Sequence, residues 1–298
     1  MAKKQEYGNE SIKSLKGAER VRKRPAVIFG SDGIEGCEHS IFEIMSNSID
    51  EAREGYGKKI IITKYLDGSV EVQDFGRGIP VDYNKNEGKF NWELLFCEMY
   101  AGGKYDNGGD NYEFSLGLNG LGLCATQYAS EYMDAEIKSG GYKYTLHFEH
   151  GENVGGLVKE EYKKRGDTGT RIKWKPDLKV FTDINIPVEY FEETIKRQAI
   201  VNDGIKFVFK NQISSASFDT KEYCYENGIQ DYVKDIAGDK AFTTPQYWEC
   251  ERVGKDREDL NEYKLKIKAA LCFSLDTQLK EYYHNSSFLE HGGARKGV

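Results

Sequence analysis

Long apolar runs are absent from this sequence. No stretch of eighteen or more apolar residues occurs, so no segment reads as a membrane-spanning helix. The opening Met1-Ala2-Lys3-Lys4-Gln5-Glu6 has no apolar core of a secretory signal, and the expectation is a soluble, cytoplasmic protein with no membrane partner. Paired cysteines are missing too. Cys37, Cys97, Cys124, Cys224, Cys250 and Cys272 include no C-x-x-C pair, so neither a disulfide framework nor a zinc site is indicated. The five histidines show no ligand spacing. Excess positive charge is lacking: 42 Lys and Arg face 49 Asp and Glu, and a balance of −7 argues against strong hold on a DNA backbone by this chain alone. One basic run, Arg20-Val21-Arg22-Lys23-Arg24 before Pro25, is either a nucleic-acid patch or a solvated helix end. Prolines number only five. The 32 glycines cluster at 102–103, 108–109, 117–122, 140–141 and 155–156, marking loops that bend sharply or approach a ligand.

What is present is a globular composition, 39% hydrophobic and 13% aromatic, in a chain long enough for two units rather than one. A first helix covers 41–52. Lys59-Ile60-Ile61-Ile62-Thr63-Lys64-Tyr65 predicts a strand, Asp67-Gly68 a hairpin turn, and Ser69-Val70-Glu71-Val72-Gln73-Asp74 the returning strand. Trp92, Leu95, Phe96 and Met99 recur at i, i+3, i+4, i+7 and predict another helix. A polar glycine-rich loop over 101–116 leads to a short helix over 121–129. Two hairpins follow, one turning at Gly140-Gly141 and one ending in Thr170-Arg171-Ile172-Lys173-Trp174, then a helix near 188–199 and a strand over 205–209. This order predicts an α+β sandwich, a mixed, mostly antiparallel sheet with helices on one face. The first unit is expected over 1–220. The second, 221–298, has a helix near 229–236, a charged loop through 251–262 and a long strand over 263–275. It ends at Gly292-Gly293-Ala294-Arg295-Lys296-Gly297-Val298 without a stop signal, as though cut inside a domain.

Four pieces carry chemistry. On the first helix, Ile41, Ile44, Met45, Ser48, Ile49 and Ala52 share a small-to-apolar face, while Glu43, Asn47, Asp50 and Glu51 fall opposite. An acid and an amide at i, i+4 converge on one ion or water, although such a face alone is equally a solvated one. Asp74 shares a strand face with Val70 and Val72, so its carboxylate points inward and needs a donor. An exocyclic purine amine would serve; so would a cap on the turn Phe75-Gly76-Arg77-Gly78-Ile79-Pro80. Gly117-Leu118-Asn119-Gly120-Leu121-Gly122 opens a helix with amides free to face an anion, but its spacing is neither the dinucleotide fingerprint nor the P-loop. Lys104 adds a cation on the same loop. Thr170 shares a face with Ile172 and Trp174, so its hydroxyl also points inward.

Taken in order, N-x-x-x-[DE], D-x-G-x-G, G-x-x-G-x-G and G-T resemble the Bergerat-fold (GHKL) ATPases. Within them the likeness is to the B-type subunits of bacterial type II DNA topoisomerases, gyrase and topoisomerase IV. The discriminating words are Ser11-Ile12-Lys13-Ser14-Leu15-Lys16-Gly17, Val21-Arg22-Lys23-Arg24-Pro25, Gln73-Asp74-Phe75-Gly76-Arg77-Gly78-Ile79-Pro80 and Ala101-Gly102-Gly103-Lys104-Tyr105. The resemblance implies ATP and Mg²⁺ as cofactors, with Glu43 as general base and Asn47 as the metal's protein ligand. It implies that Asp74 accepts the adenine amine, supported by Thr170 through water. Gly78, Ile79 and Leu95 would line the base pocket, with Arg77 paired to Glu51 at its rim. Gly103, Lys104, Tyr112 and the run Gly117, Leu118, Asn119, Gly120, Leu121, Gly122 would belong to a lid over the phosphates. Tyr7 and Ile12 match an N-terminal arm that crosses to a partner subunit, implying a homodimer when ATP is bound. An A-type subunit, through a part beyond this chain, and DNA in the full enzyme are the further partners, DNA binding being weak for this piece.

The likeness has departures. Ser46 stands where the family usually has Asp, Asn119 where it has His, and Glu113 where it has a second lid lysine. Ala26-Val27-Ile28-Phe29-Gly30 replaces its M-Y-I-G stretch. The arginine that clamps aminocoumarin inhibitors aligns with Ser139, which predicts poor aminocoumarin binding. The second unit looks like the start of a transducer domain, ending some forty residues before that domain's Q-T-K lysine loop, so slow hydrolysis is expected. The competing readings are another GHKL member of the mismatch-repair type, and an ATP-sensing dimerisation module with little turnover.

Overall fold

In the computed structural model the described residues are 14–101, 116, 120–164, 166–255, 257–258, 262–276, 278–284 and 286–289. Two single-turn helices, α1 (Ala18–Arg22) and α2 (Pro25–Phe29), lead into the long α3 (Ile34–Arg53). Pro25 suits the first turn of α2, where no intrahelical N–H is needed. α3 starts a full two turns before its apolar stripe suggested. Gly36 permits this, because a Cβ there would lie 2.1 Å from the Ser31 carbonyl oxygen. The hairpin β1 (Lys59–Lys64) and β2 (Val70–Asp74) forms as expected, with Gly68 in the turn at φ 81°.

A short pair, β3 (Tyr83–Asn84) and β4 (Lys89–Phe90), precedes α4 (Asn91–Cys97) and α5 (Gly122–Tyr128). Next come β5 (Ser130–Ser139), β6 (Tyr142–Glu149), β7 (Glu152–Glu161) and β8 (Gly169–Pro176). α6 (Val188–Val201), β9 (Lys206–Ser214) and β10 (Ser217–Tyr223) follow. The last elements are α7 (Ile229–Ala237), β11 (Gln246–Gly254), β12 (Tyr263–Leu271) and the short β13 (Tyr283–His284) and β14 (Ser287–Phe288).

Eight strands join in the order β10-β9-β1-β2-β8-β5-β6-β7. Neighbours run antiparallel except β1 with β9, which are parallel. Strict alternation assigns the faces. Ile60, Ile62, Val70, Val72, Ile172, Trp174, Met133 and Phe207 are buried under the helices. The other face is polar, with Arg171 bridging Glu71 and Glu136 at 3.1 and 3.2 Å. Stacked rings fix two helices on the sheet, Phe96 with Phe148 at 5.4 Å and Phe191 with Phe209 at 5.3 Å. The Trp174 indole N–H donates to the Thr126 carbonyl at 3.1 Å, tying α5 to β8.

Three local expectations differ from the fold. The segment ending in Trp174 is no hairpin with the strand before it: β8 crosses to the middle of the sheet and pairs with β2 and β5. Alternation specifies a strand's face but not its neighbour. The charged segment before residue 255 is a strand, β11, whose Glu249 and Glu251 lie opposite Lys268 and Lys266 of β12, so charge pairing across strands replaces the apolar signal. β10 carries the large sheet on to Tyr223, across the expected 220/221 boundary.

Candidate functional site

A cavity of about 610 Å³ opens between α3, the sheet at β2 and β8, α4 and the start of α5. Glu43, Asn47, Glu51, Asp74, Arg77, Gly78, Ile79, Leu95, Gly120, Leu121, Gly122 and Thr170 all line it. These twelve of the expected residues therefore lie together. Tyr7, Ile12, Gly103, Lys104, Tyr112, Gly117, Leu118 and Asn119 lie outside the described residues.

One end is built on strands. Asp74 is 7% exposed. Its Oδ1 accepts the N–H of Gly76 at 3.0 Å and of Thr170 at 3.1 Å, and its Oδ2 accepts the Ser48 hydroxyl at 2.9 Å. Burial pushes the carboxyl up, and these three donors offset only part of that. A carboxylate has about four acceptor directions, so three donors leave about one, on Oδ2. The Thr170 hydroxyl accepts the Ile79 N–H at 3.1 Å and so holds the turn after β2. Gly169 is required beside it: φ is 142°, and a Cβ would come within 2.3 Å of the Asp74 carbonyl oxygen.

The rim is a planar ion pair. Arg77 donates from Nε to Glu51 Oε1 at 2.9 Å and from Nη2 to Glu51 Oε2 at 2.8 Å, with Glu54 at 2.6 Å. Its guanidinium lies 3.8 Å from the Tyr56 ring centre. Glu51, helped by Glu54, raises the arginine's pKa further.

The other end is built on α3 and the start of α5. Glu43 Oε1 lies 3.1 Å from His39 Nε2, one helical turn earlier. The same carboxylate leans over α5, where a Cβ on Gly122 would fall 1.9 Å from Oε2. The hydrogen bond to Glu43 outweighs burial and raises the His39 pKa. Sequence reasoning missed His39, although its i, i+4 spacing from Glu43 is legible. Asn47 stands one turn beyond Glu43 and is half-buried. Asp50, expected on the polar face, is buried, and its Oδ1 accepts the Leu116 N–H at 2.9 Å. Ser46 is also buried, its hydroxyl turned back onto the Glu43 carbonyl at 2.9 Å. Among the described residues no cluster of three or more His, Cys, Asp or Glu is placed to hold a metal, and no helix is long and apolar enough to cross a membrane.

No protein-family model matches the chain. It is 36% identical over 230 residues to the B-type subunit of DNA gyrase from Thermotoga maritima, covering 77% of this chain and 35% of that protein. It is 34% identical over 272 residues to the corresponding gyrase subunit from Synechocystis, covering 91% and 24%. The B-type subunit of DNA topoisomerase 4 from Staphylococcus aureus is 37% identical over 240 residues, covering 79% and 35%. Two solved structures superpose well. The 43K ATPase domain of Thermus thermophilus gyrase B, in complex with an aminocoumarin, gives a TM-score of 0.64 at 28% identity over 81% of this chain and 60% of that one. The topoisomerase IV ATP-binding domain of Francisella tularensis, in complex with a small-molecule inhibitor, gives 0.63 at 27% over 80% and 64%. The chain spans about a quarter to a third of the length of these curated relatives. By sequence and by fold, it belongs to the family of B-type subunits of type II DNA topoisomerases, with the GHKL fold of their ATPase domain.

Proposed function

We propose that this chain binds ATP with Mg²⁺ in the α3–sheet cavity and hydrolyses it, as the nucleotide-operated part of a cytoplasmic type II topoisomerase. The observation that carries this is Asp74, a buried carboxylate with three donors in place and about one acceptor direction left for a ligand N–H. Such a group selects an amine such as that of adenine, and rejects a carbonyl at the same position. Ile79 and Leu95 supply apolar walls for a flat base. At the opposite end, Glu43 is the general base: held by His39, it takes a proton from the attacking water. The amides at the start of α5 would receive phosphate charge, as helix N-termini with adjacent glycines do.

Asn47 would hold the magnesium ion. An amide oxygen is a hard donor, and one protein oxygen completed by phosphates and water suits Mg²⁺. When bound, the ion supplies charge neutralisation at the phosphates. The unit expected over 1–220, which β10 carries on to Tyr223, would bind the nucleotide, and the rest of the chain to 298 would belong to a transducer. ATP-dependent homodimerisation through the N-terminal arm, an A-type partner and passage of DNA complete the reading. A second reading, an ATP-sensing dimerisation module with little turnover, is favoured by Ser46, which lies turned away on the helix backbone. Calorimetry with ATP and GTP, run beside steady-state turnover, tests both. Tight, adenine-selective binding with measurable turnover is expected. Equal affinity for GTP sinks the Asp74 assignment, and tight binding without turnover selects the sensing module.

A further inference from the structure

α5 is gripped at both ends. Its first residue, Gly122, lies under the Glu43 carboxylate. At its far end, one Arg22 guanidinium donates from Nη1 to the carbonyls of Tyr128 and Ser130, both at 3.1 Å, and from Nη2 to Asp177 Oδ2 at 2.5 Å. His150 Nδ1 lies 2.9 Å from the same carboxylate oxygen. The Arg22 and Asp177 side chains are only 18% and 5% exposed. Asp177 directly follows β8, the strand whose opening residues are Gly169 and Thr170, and its N–H donates to the Ala129 carbonyl at 3.2 Å. The joint is tightly packed: a Cβ on Gly151, beside His150, would come within 2.5 Å of the Ala18 Cβ on α1. Burial alone would raise the Asp177 carboxyl, but Arg22, the Lys179 amide and His150 hold it below the usual range, as an ion pair requires. The basic run that reads equally as a nucleic-acid patch thus spends Arg22 inside the molecule, and Lys23 pairs with Glu19 at 2.9 Å.

We propose that Arg22 and Asp177 are positioning residues which fix α5, and through it the approach of Gly122 to Glu43, so that this joint governs turnover far more than recognition of the base. The proposal rests on the hydrolysis reading above. A seven-residue helix is a short rod about 10 Å long, so a shift at Tyr128 that overcomes the bonds of Thr126 to Trp174 and Ser40 is passed on to Gly122. A misplacement of about 1 Å at reacting groups can cost on the order of a hundredfold in rate. Thr170 lies at the opening end of β8, paired there with β5, and Asp74 ends β2, so base recognition rests on sheet pairing more than on α5, which meets β8 further along at Trp174.

The test compares Arg22→Gln, Asp177→Asn and Arg22→Lys in the full chain, each checked for a cooperative melt. Expected for Arg22→Gln and Asp177→Asn is a loss of turnover of roughly tenfold or more, affinity for adenosine, which carries no phosphate to meet the α5 amides, within about threefold, and faster amide exchange along α5. Lysine keeps the charge but cannot bond two carbonyls and a carboxylate from one planar fork, so Arg22→Lys should recover only part of the loss. Adenosine affinity falling in step with turnover overturns the proposal, as does full recovery by lysine or unchanged exchange in α5. Glu43→Gln, run alongside, separates the two readings. If it leaves turnover intact, or the unaltered chain has none, the hydrolysis reading fails, while exchange in α5 still decides whether Arg22 and Asp177 hold that helix.

Discussion

The two ends of the cavity are built on opposite principles. The Asp74 end is formed by β2 and β8, two neighbouring strands inside an eight-stranded sheet, and its carboxylate meets two backbone amides and a hydroxyl. The Thr170 amide cannot move without disturbing the pairing of β8, while Gly76 in the turn and Ser48 on α3 close the other sides. The Glu43 end depends on side chains from α3 and the first residue of a short helix, and His39, which holds Glu43, has nearly half its side chain exposed. On the function proposed above, recognition falls to the stiff Asp74 end, and chemistry to the end held by side chains.

The sharpest way to break that comparison is Glu43→Gln. The amide keeps the shape and the contact with Gly122 but removes the base, so turnover should fall at least ~10²-fold with analogue affinity retained. Near-normal turnover in a single-turnover assay would mean that the water is activated elsewhere. Asp74→Asn is the converse. It exchanges an acceptor-only group for an amide, and the loss should appear in affinity, on the order of 1.5–3 kcal/mol by calorimetry. The pH dependence has a definite sign. Because burial raises the Asp74 pKa, the carboxylate protonates at a higher pH than a free aspartate. ATP affinity should therefore weaken as pH falls through that raised value, a step that the asparagine variant lacks.

The stiff end is the more legible in sequence, and for a physical reason. Period-two alternation places Asp74 with Val70 and Val72, and Thr170 with Ile172 and Trp174, on the buried face. What alternation cannot supply is the neighbour. That β8 lies beside β2, so that the Thr170 amide reaches Asp74, is a long-range pairing invisible to local pattern. Ser48 falls by phase among the small apolar residues of α3, yet it is a donor to Asp74, because burial of a hydroxyl demands a partner. At the other end, Glu43 and Asn47 are legible and His39 escapes notice. Phase turns Asp50 toward solvent, since it gives a direction but not what packs there; Leu116 covers it. The resemblance to GHKL ATPases adds roles that pattern alone leaves open.

His39→Gln should lower turnover by less than Glu43→Gln and leave affinity unchanged, since it loosens the base without removing it. Its electrostatic signature lies in stability. The folded His39 pKa is raised, chiefly by the bond to Glu43, so the pair's contribution is fully present below the unfolded value of about 6.5 and is lost as pH rises through the folded value. Solvent screening at so exposed a site keeps this to a fraction of a kcal/mol. The difference in melting temperature between the unaltered chain and His39→Gln should therefore shrink as pH rises. A difference that grows with pH would remove His39 from its assigned role.

The smallest effect is expected at the mouth of the stiff end. Gly78 and Ile79 line the cavity there, and a Cβ on Gly78 would lie 3.2 Å from the Ser139 Cβ, so residue 139 borders the opening. The neighbouring cation is already engaged: Lys138 is 3.3 Å from Asp167 and 5.0 Å from the Tyr162 ring centre. A serine beside an occupied lysine offers no planar fork to an incoming ligand. The related structure from Thermus thermophilus was solved with an aminocoumarin, and the family resemblance implies that the clamping arginine corresponds to Ser139. Aminocoumarins should accordingly bind this chain only weakly, and Ser139→Arg should tighten them by roughly 0.5–2 kcal/mol through stacking and bidentate bonding. ATP affinity should not change, because the substitution stands outside the contacts of Asp74. Calorimetric titration of both ligands against both proteins decides it. Submicromolar aminocoumarin binding by the unaltered chain, or weakened ATP binding in Ser139→Arg, would show that the mouth and the floor of this end do not act independently.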